Sequence, residues 1–451
     1  MTDMTLALIG IVVFLVLLML GMNIGFSLLL VGFVGTVIYF GGNILPALGV
    51  LQTVPATQAS DYALMVIPLF VMMGNFAYIS GLGEGLFDMC NKWLSRFPGS
   101  LACGAMAASA GFAVICGSCA ATAATMGTIA LPEMKKYGYS DSLATGAVAM
   151  GGALGVLIPP STIFIIYGIV AEASIGRLFA SGIVPAVILV ILCIATVITL
   201  VKLKPSSAPA PFSTPWADRF KSLINLIPIV VLFGVVLGGM FSGFFTVNQS
   251  AAIGAIVACL ISVVRRKLTW TSFKMVMFTT VKTTAMIFLI MIGAKIFCQF
   301  LLYTGFPTAL ADIIGGLDVS KYVIILIMTV IYLILGAIMD ELPMILMTVP
   351  IFLPIVLDLG FNAIWFGVYV VLVMEMGTIA PPVGLICFVL AGVAPEIPLF
   401  TIYKGALPYL ITIFICIAIV TFFPALATWL PDQIYGPEML STLQMEALEK
   451  G

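Results

Sequence analysis

Gly155-Val156-Leu157-Ile158-Pro159-Pro160 and Gly377-Thr378-Ile379-Ala380-Pro381-Pro382 are the two stretches that decide the fold. They lie 222 residues apart (377 − 155 = 222), and at that same offset Leu131-Pro132 returns as Leu353-Pro354 and Gly138 as Gly360. Proline has no backbone N–H and cannot continue a helix, so each stretch interrupts an apolar helix at a matched position. A duplicated unit with Gly and Pro interrupting corresponding apolar segments points to the binding site of a secondary transporter.

Composition agrees. Hydrophobic residues make up 62% of the 451 and charged residues 8%, with a mean hydropathy of +1.25. Such a chain cannot present the charged surface of a soluble domain. Apolar runs at 6–20, 24–40, 183–201, 223–240 and 411–426 approach the roughly 20 residues a helix needs to cross about 30 Å of hydrocarbon. The expectation is an all-α polytopic membrane protein, since the short alternating segments of a barrel are absent. No basic region precedes the first run and a second follows at once, so it reads as a permanent span rather than a signal peptide. A net charge of −1 argues against a nucleic-acid partner.

Lys202, Lys204, Arg219 and Lys221 fall in one loop, and Arg265-Arg266-Lys267 closes the second span after it, which puts both loops in the cytoplasm. Segment 142–172 then runs outward and its twin, 362–393, inward. That inversion requires an odd number of crossings per repeat, counted as five. Ahead of each interrupted segment lies a stretch too short for two full spans: 100–136 around Gly117-Ser118, and 319–358 around Met339-Asp340. Each reads as a re-entrant hairpin whose tip meets the broken helices inside the protein, where non-helical backbone is shielded from lipid. Segments 83–97 and 270–282 read as helices lying in the headgroup plane, and the Pro-, Ser- and Ala-rich stretch 205–215 as an inter-repeat linker. The resulting division is 1–98 scaffold spans and arm, 99–173 first hairpin and broken helix, 174–318 scaffold, linker and second arm, 319–394 second hairpin and broken helix, and 395–451 last span and tail.

The series Gly117-Ser118-Cys119-Ala120-Ala121, Leu131-Pro132-Glu133-Met134, Gly138-Tyr139, Gly151-Gly152-Ala153-Leu154-Gly155, Ile158-Pro159-Pro160-Ser161, Leu178-Phe179, Gly182 and Pro185 resembles the large membrane subunit of tripartite ATP-independent periplasmic (TRAP) transporters. Met339-Asp340, Val349-Pro350, Leu353-Pro354 and Gly377 to Pro382 continue it, so the resemblance covers nearly the whole chain. It implies an elevator-type, sodium-coupled importer of organic acids in the bacterial inner membrane, working with a small four-helix membrane subunit and a periplasmic solute-binding protein. In one place the pattern departs. Where the family usually has Thr-Pro-Thr-Glu-Ala, this chain has Thr246-Val247-Asn248-Gln249-Ser250 before Ala251, and the expected role is capping of the helix start.

Sodium takes oxygen ligands, and half-helix ends supply backbone carbonyls at membrane depth. The first proposed sodium site is Ser118, Gly155 and Ile158; the 222-residue offset places the second at Asp340, Gly377 and Ala380, with the Thr378 hydroxyl beside it. An ionised carboxylate at membrane depth is costly and is kept for a task, which for Asp340 is cation coordination, a structural ion pair or proton coupling. Glu341 and Glu375 are weaker candidates. The substrate set is Ser161, Thr162, Thr122 and Gly384: Ser161-Thr162 opens a half-helix whose free N–H groups favour a carboxylate, although Ser161 is equally suited to simple N-capping. Cys116-Gly117-Ser118-Cys119 spells C-x-x-C, but without histidine or a second Cys pair it reads as small apolar packing. No G-x-x-x-x-G-K-[ST] loop is present, so no nucleotide is expected as cofactor. A channel would show a charged ring or filter, and an enzyme a nucleophile–base pair; neither pattern is present.

Overall fold

The computed structural model describes residues 3–116, 118–210, 214–315, 319–337, 339 and 341–437. Asp340, Gly117 and Asp318 lie outside the described residues. The chain is helical throughout the described residues, and seven helical segments among them are long and apolar enough to cross a membrane.

The first repeat runs α1 (Asp3–Met19), α2 (Ile24–Tyr39), α3 (Leu45–Ser60), α4 (Val66–Ile79), α5 (Leu82–Leu94), α6 (Ser100–Cys116), α7 (Cys119–Lys136), α8 (Asp141–Ala153), α9 (Thr162–Val170) and α10 (Ile175–Leu203). A short α11 (Trp216–Ser222) leads to the second: α12 (Ile227–Phe241), α13 (Val247–Val264), α14 (Trp270–Tyr303), α15 (Phe306–Gly315), α16 (Lys321–Gly336), α17 (Glu341–Asp358), α18 (Ala363–Ile379), α19 (Leu385–Val393), α20 (Leu399–Phe422), then a terminal α21 (Ala425–Tyr435). From α6/α16 to α10/α20, each helix starts within about two residues of the 222-residue offset from its twin. The apolar run 411–426 is thus the second half of α20 running over the Pro424 break into α21.

One repeat element is built in two ways. In the first copy Asp61 accepts from the Ala63 amide at 2.9 Å and starts a 3-10 turn, Tyr62–Met65, that separates α3 from α4. In the second copy the matching stretch is the single 34-residue α14. Segment 270–282 is therefore no separate interfacial helix; it is the first third of a continuous one, capped by Thr269 and Ser272. The true counterpart of the amphipathic α5 is α15, whose polar residues are few.

Small residues set the packing between layers. A Cβ on Gly32 of α2 would stand 2.7 Å from the Phe297 backbone of α14, and one on Gly254 of α13 would stand 2.6 Å from Met73 Sδ of α4. Gly146 of α8 and Gly405 of α20 touch backbone to backbone. The linker is docked rather than free at its start: the Ser140 amide donates to the Ser207 carbonyl at 2.9 Å. Arg219 of α11 is buried, donates to Ser95 Oγ at 3.1 Å and lies over the Trp216 ring, which fastens the inter-repeat connection to the end of α5.

Candidate transport site

The first hairpin is α6 and α7, joined at Ser118. Ser118 is extended (φ −143°), and its Oγ accepts from the Ala121 amide at 3.4 Å, so it N-caps the returning leg. Alongside it, α8 ends in a 3-10 turn, Leu154–Val156, and the chain unwinds until Ser161. The missing N–H groups of Pro159 and Pro160 deprive the Gly155 and Val156 carbonyls of their helical partners. Ser161 Oγ accepts from the Phe164 amide at 3.4 Å and starts α9. Gly155 is pressed against α6, since a Cβ there would come within 2.8 Å of Ala113 Cα. Across the gap, a Cβ on Gly182 of α10 would reach 2.5 Å from the Leu157 carbonyl. Pro159, Pro160 and Ser161 are all buried, and both Pro-Pro bonds in the chain are cis.

The second hairpin is α16 and α17, and α18 ends at Ile379 with the Ala380 amide donating to the Gly377 carbonyl at 3.1 Å. Thr378 Oγ1 donates to the Glu375 carbonyl at 2.9 Å, which leaves the hydroxyl lone pairs available to a cation. Gly377 lies on the end of α16, where a Cβ would stand 2.7 Å from Gly336 Cα. Gly384, at φ +54°, begins α19 in a backbone conformation that favours glycine.

The two tips meet. Cys119 Sγ donates to Glu341 Oε1 at 2.8 Å, and these residues are 222 apart, so equivalent positions of the two repeats touch. Around this contact lies a cavity of ≈ 300 Å³. One wall comes from both hairpins and both half-helices: Ser118, Cys119, Pro160, Thr162, Glu341 and Leu385. The other comes from α4 and α14, with Asn75, Thr279 and Thr283 as its polar members. Asn75 Nδ2 donates to Thr280 Oγ1 at 3.0 Å, which ties those two helices together beside the cavity.

Of the residues singled out from sequence, Ser118, Thr162 and the weaker candidate Glu341 line the cavity. Ser161 is a buried N-cap just behind Thr162, and Thr122 is fully buried with its hydroxyl unpartnered one turn into α7. Gly155 and Ile158 belong to the first break and Gly377, Thr378 and Ala380 to the second, and none of them is among the residues lining the cavity; Gly384 is buried at the start of α19. The cavity's Asn75, Thr279 and Thr283 escaped the sequence reading, although hydroxyls at 279 and 283, one helical turn apart in an apolar run, mark one polar face. Glu375 is more deeply placed than its sequence suggests: it is fully buried, with its carboxyl against the Leu157 backbone of the first break. The expected capping by Gln249 is present, with Gln249 Oε1 accepting from the Thr246 amide at 2.9 Å and Thr246 Oγ1 accepting in return. None of the eight described cysteines is in a disulfide, and among the described residues no cluster of three His, Cys, Asp or Glu forms a metal site.

Paired hairpins and paired broken helices around a cavity between two helical layers define a membrane transporter. The profile of the family described as "Tripartite ATP-independent periplasmic transporter, DctM component" matches residues 11–426, and the chain belongs to that family, as a transport permease rather than an enzyme. It is 33% identical to the C4-dicarboxylate TRAP transporter large permease protein DctM of Pseudomonas aeruginosa, over 83% of this chain and 87% of that protein. It is 30% identical to the sialic acid TRAP transporter large permease protein SiaM of Vibrio cholerae, over 93% and 97%. In fold it is similar to the Neisseria gonorrhoeae MtrF structure, with a TM-score of 0.61 at 13% identity over 94% of this chain and 95% of that one.

Proposed function

We propose that the chain is the large subunit of a sodium-coupled importer of a small organic acid, seated in the bacterial inner membrane. It works with a small four-helix membrane subunit and a periplasmic binding protein that delivers the solute. The observation that carries this reading is the cavity at the Cys119–Glu341 junction, where both hairpin tips and both half-helices face one scaffold wall. Organic-acid relatives support the solute class.

In this reading the first sodium ion is held by Ser118 and the freed carbonyls at Gly155 and Ile158, and the second by Asp340, Gly377, Thr378 and Ala380. The solute's carboxylate sits at the start of α9, at Thr162, backed by Ser161 and Thr122, with Gly384 allowing close backbone approach in the second half. Regions 99–173 and 319–394 move as the transport unit against the scaffold, with Lys135 on the cytoplasmic side. No nucleotide takes part.

Uptake by the assembled complex in proteoliposomes tests this. A sodium gradient with the binding protein drives accumulation, and ATP adds nothing. Accumulation that persists unchanged in sodium-free buffer overturns sodium coupling in favour of a proton-coupled or passive organic-anion exchanger of the same fold.

A further inference from the structure

Lys295 stands where a span does not ordinarily keep a charge. It lies in α14, eight residues and about 12 Å before the Tyr303 end, where Tyr303 stacks on Tyr39 as residues of an aromatic belt do. That is deeper than the helix ends from which lysines snorkel to the interface. The residue is exposed and forms no ion pair among the described residues. A charge at such depth is kept for a partner or a water-lined cavity.

The repeat offset supplies the cavity. In this structure the scaffold wall facing the hairpin tips includes Met73 and Asn75 of α4 and Thr279 and Thr283 of α14. Their twins are Lys295, Phe297, Thr57 and Asp61 (295 − 73 = 222), and none of these four lines the cavity. The helix crossing that would bring them together is nonetheless repeated: α3 packs on α14, and Gln58, twin of the Thr280 that bonds Asn75, is buried. Thr57 and Lys295 are exposed, as befits a wall from which the moving unit is withdrawn. With inverted repeats rocking about one site, what one repeat does in one conformation its twin does in the other. The exchange changes the chemistry of the wall. Thr57 keeps the hydroxyl of Thr279 and Asp61 caps its 3-10 turn through the Ala63 amide, but the apolar Met73 is replaced by an ammonium.

We propose that Lys295 and Thr57 form a second scaffold wall, faced by the hairpin tips in the conformation open at the Tyr303 end, and that the Lys295 ammonium receives the solute's carboxylate there. With Arg265-Arg266-Lys267 in the cytoplasm, this is the periplasmic face. The solute loads against a cation and leaves from the wall of Asn75, Thr279 and Thr283, where the scaffold has no charge to hold it. The inference rests on the cavity being the transport site of a two-conformation carrier. It goes further by naming the wall of the other conformation.

The test uses the chain assembled with the small subunit in liposomes. Thr57→Cys/Leu342→Cys is treated with a short bifunctional methanethiosulfonate at several sodium concentrations, and linked peptides are identified by mass spectrometry. This pair is the twin of Thr279 and Ala120, which line one cavity in this structure, so Thr279→Cys/Ala120→Cys is the reference. Both pairs link; a reference link without the Thr57–Leu342 link overturns the second wall. Charge is read at Thr57→Cys alone. A sulfonatoethyl methanethiosulfonate labels it about fivefold faster than the trimethylammonium reagent, each normalised to its rate with free thiol. Lys295→Arg keeps that ratio and Lys295→Met brings it within about twofold. Should Lys295→Met fail to assemble, raising the ionic strength of the Lys295 parent must shrink the ratio instead. Succinate, gluconate and pyruvate probe the carboxylate, and at least one slows the labelling in the parent. A ratio favouring the cation, a ratio indifferent to Lys295 or to salt, or protection by none of the three acids overturns the proposal. So does a Lys295→Cys that no aqueous reagent labels at any sodium concentration, since lipid or the small subunit then covers the position. Counterflow of the three acids separates the two readings. Both links and the charge preference with no movement of any acid overturn transport at this cavity, whereas movement without the Thr57–Leu342 link overturns the second wall alone.

Discussion

The two broken helices carry the same Pro-Pro signature at the same offset, yet they sit in different surroundings. Pro159 and Pro160 are buried among α6, α10 and the hairpin tips, whereas Pro381, Pro382 and Val383 are exposed. The first break is finished by a serine cap; the second by Gly384 in a left-handed conformation. At the second, the Tyr403 hydroxyl lies 2.7 Å from the Pro382 carbonyl and 2.6 Å from that of Val383. One hydroxyl has one proton, so it satisfies only one of the two at a time, and water or another donor is left to serve the other. Duplication therefore fixed where the backbone opens, and later substitutions decided what each opening faces.

The largest expected effect breaks that comparison at its tightest point. Gly155→Val inserts a branched side chain against the Ala113 backbone inside a closed layer, and Gly377→Val does the same against Gly336. Overpacking of this kind costs about 1–3 kcal/mol or more. Uptake should be abolished in both, with the greater loss of folded complex for Gly155→Val, where the Ala113 side chain is also in the way. Size-exclusion yield and uptake measured side by side check this; wild-type behaviour of either variant would mean that the break relaxes freely.

Next comes the charge difference between the repeats, where Ser118 in the first corresponds, at the 222-residue offset, to Asp340 in the second. Asp340→Asn should raise the sodium concentration for half-maximal uptake about tenfold or more, because an ion interaction is strong where few waters compete. Ser118→Ala should raise it less, since a neutral hydroxyl is lost. Glu133→Gln serves as the control: it lies at the far end of the hairpin near Lys135, whose exposed pair with Glu396 at 3.6 Å is worth only about 0–1 kcal/mol. If Asp340→Asn keeps the wild-type sodium dependence, the second cation site rests on the backbone carbonyls and the Thr378 hydroxyl without a carboxylate.

Tyr403→Phe sharpens the comparison more gently. It removes one half-exposed hydrogen bond to the second break, worth about 0.5–1.5 kcal/mol, and leaves the first untouched. A small drop in melting temperature with unchanged sodium dependence is expected. A shifted sodium dependence would place the Pro382 and Val383 carbonyls in the cation site.

Much of this was legible in the sequence, and the reason is physical. A Pro-Pro pair removes two consecutive backbone N–H groups, so the breaks could be placed from Pro159-Pro160 and Pro381-Pro382, while single prolines such as Pro132, Pro185 and Pro408 lie inside continuous helices. The hairpins could be placed from the stretches too short for two spans ahead of each break. Capping is equally local, which is why Gln249 could be assigned. The scaffold was harder. Segment 270–282 looks interfacial by its Lys and Trp residues, but nothing local shows that α14 continues through it while Asp61 stops its twin. The cavity face of Asn75, Thr279 and Thr283 becomes a site only when the hairpin tips are brought to it by tertiary packing. Glu375 looked peripheral for the same reason, since burial of a helix is invisible to a residue's neighbours in sequence.

The smallest expected effect concerns Gln249, in the stretch Thr246 to Ser250 that ends at Ala251. Gln249 is exposed, closes a capping box with Thr246, and has no part in the cavity. Gln249→Glu places an acid at the third position of α13. The carboxylate can accept from the Thr246 amide as Gln249 Oε1 does, and it gains the favourable interaction of a negative charge with a helix start, about 0.3–1 kcal/mol. Gln249→Ala removes the reciprocal bond and should cost a few tenths of a kcal/mol up to about 1. The melting temperature of the purified complex should therefore rank Glu above Gln above Ala, with transport equal in all three. Unequal transport would show that this position, remote from both breaks, takes part in the cycle through something other than the start of its helix, and the contrast between the two repeats would then extend from their breaks into the scaffold.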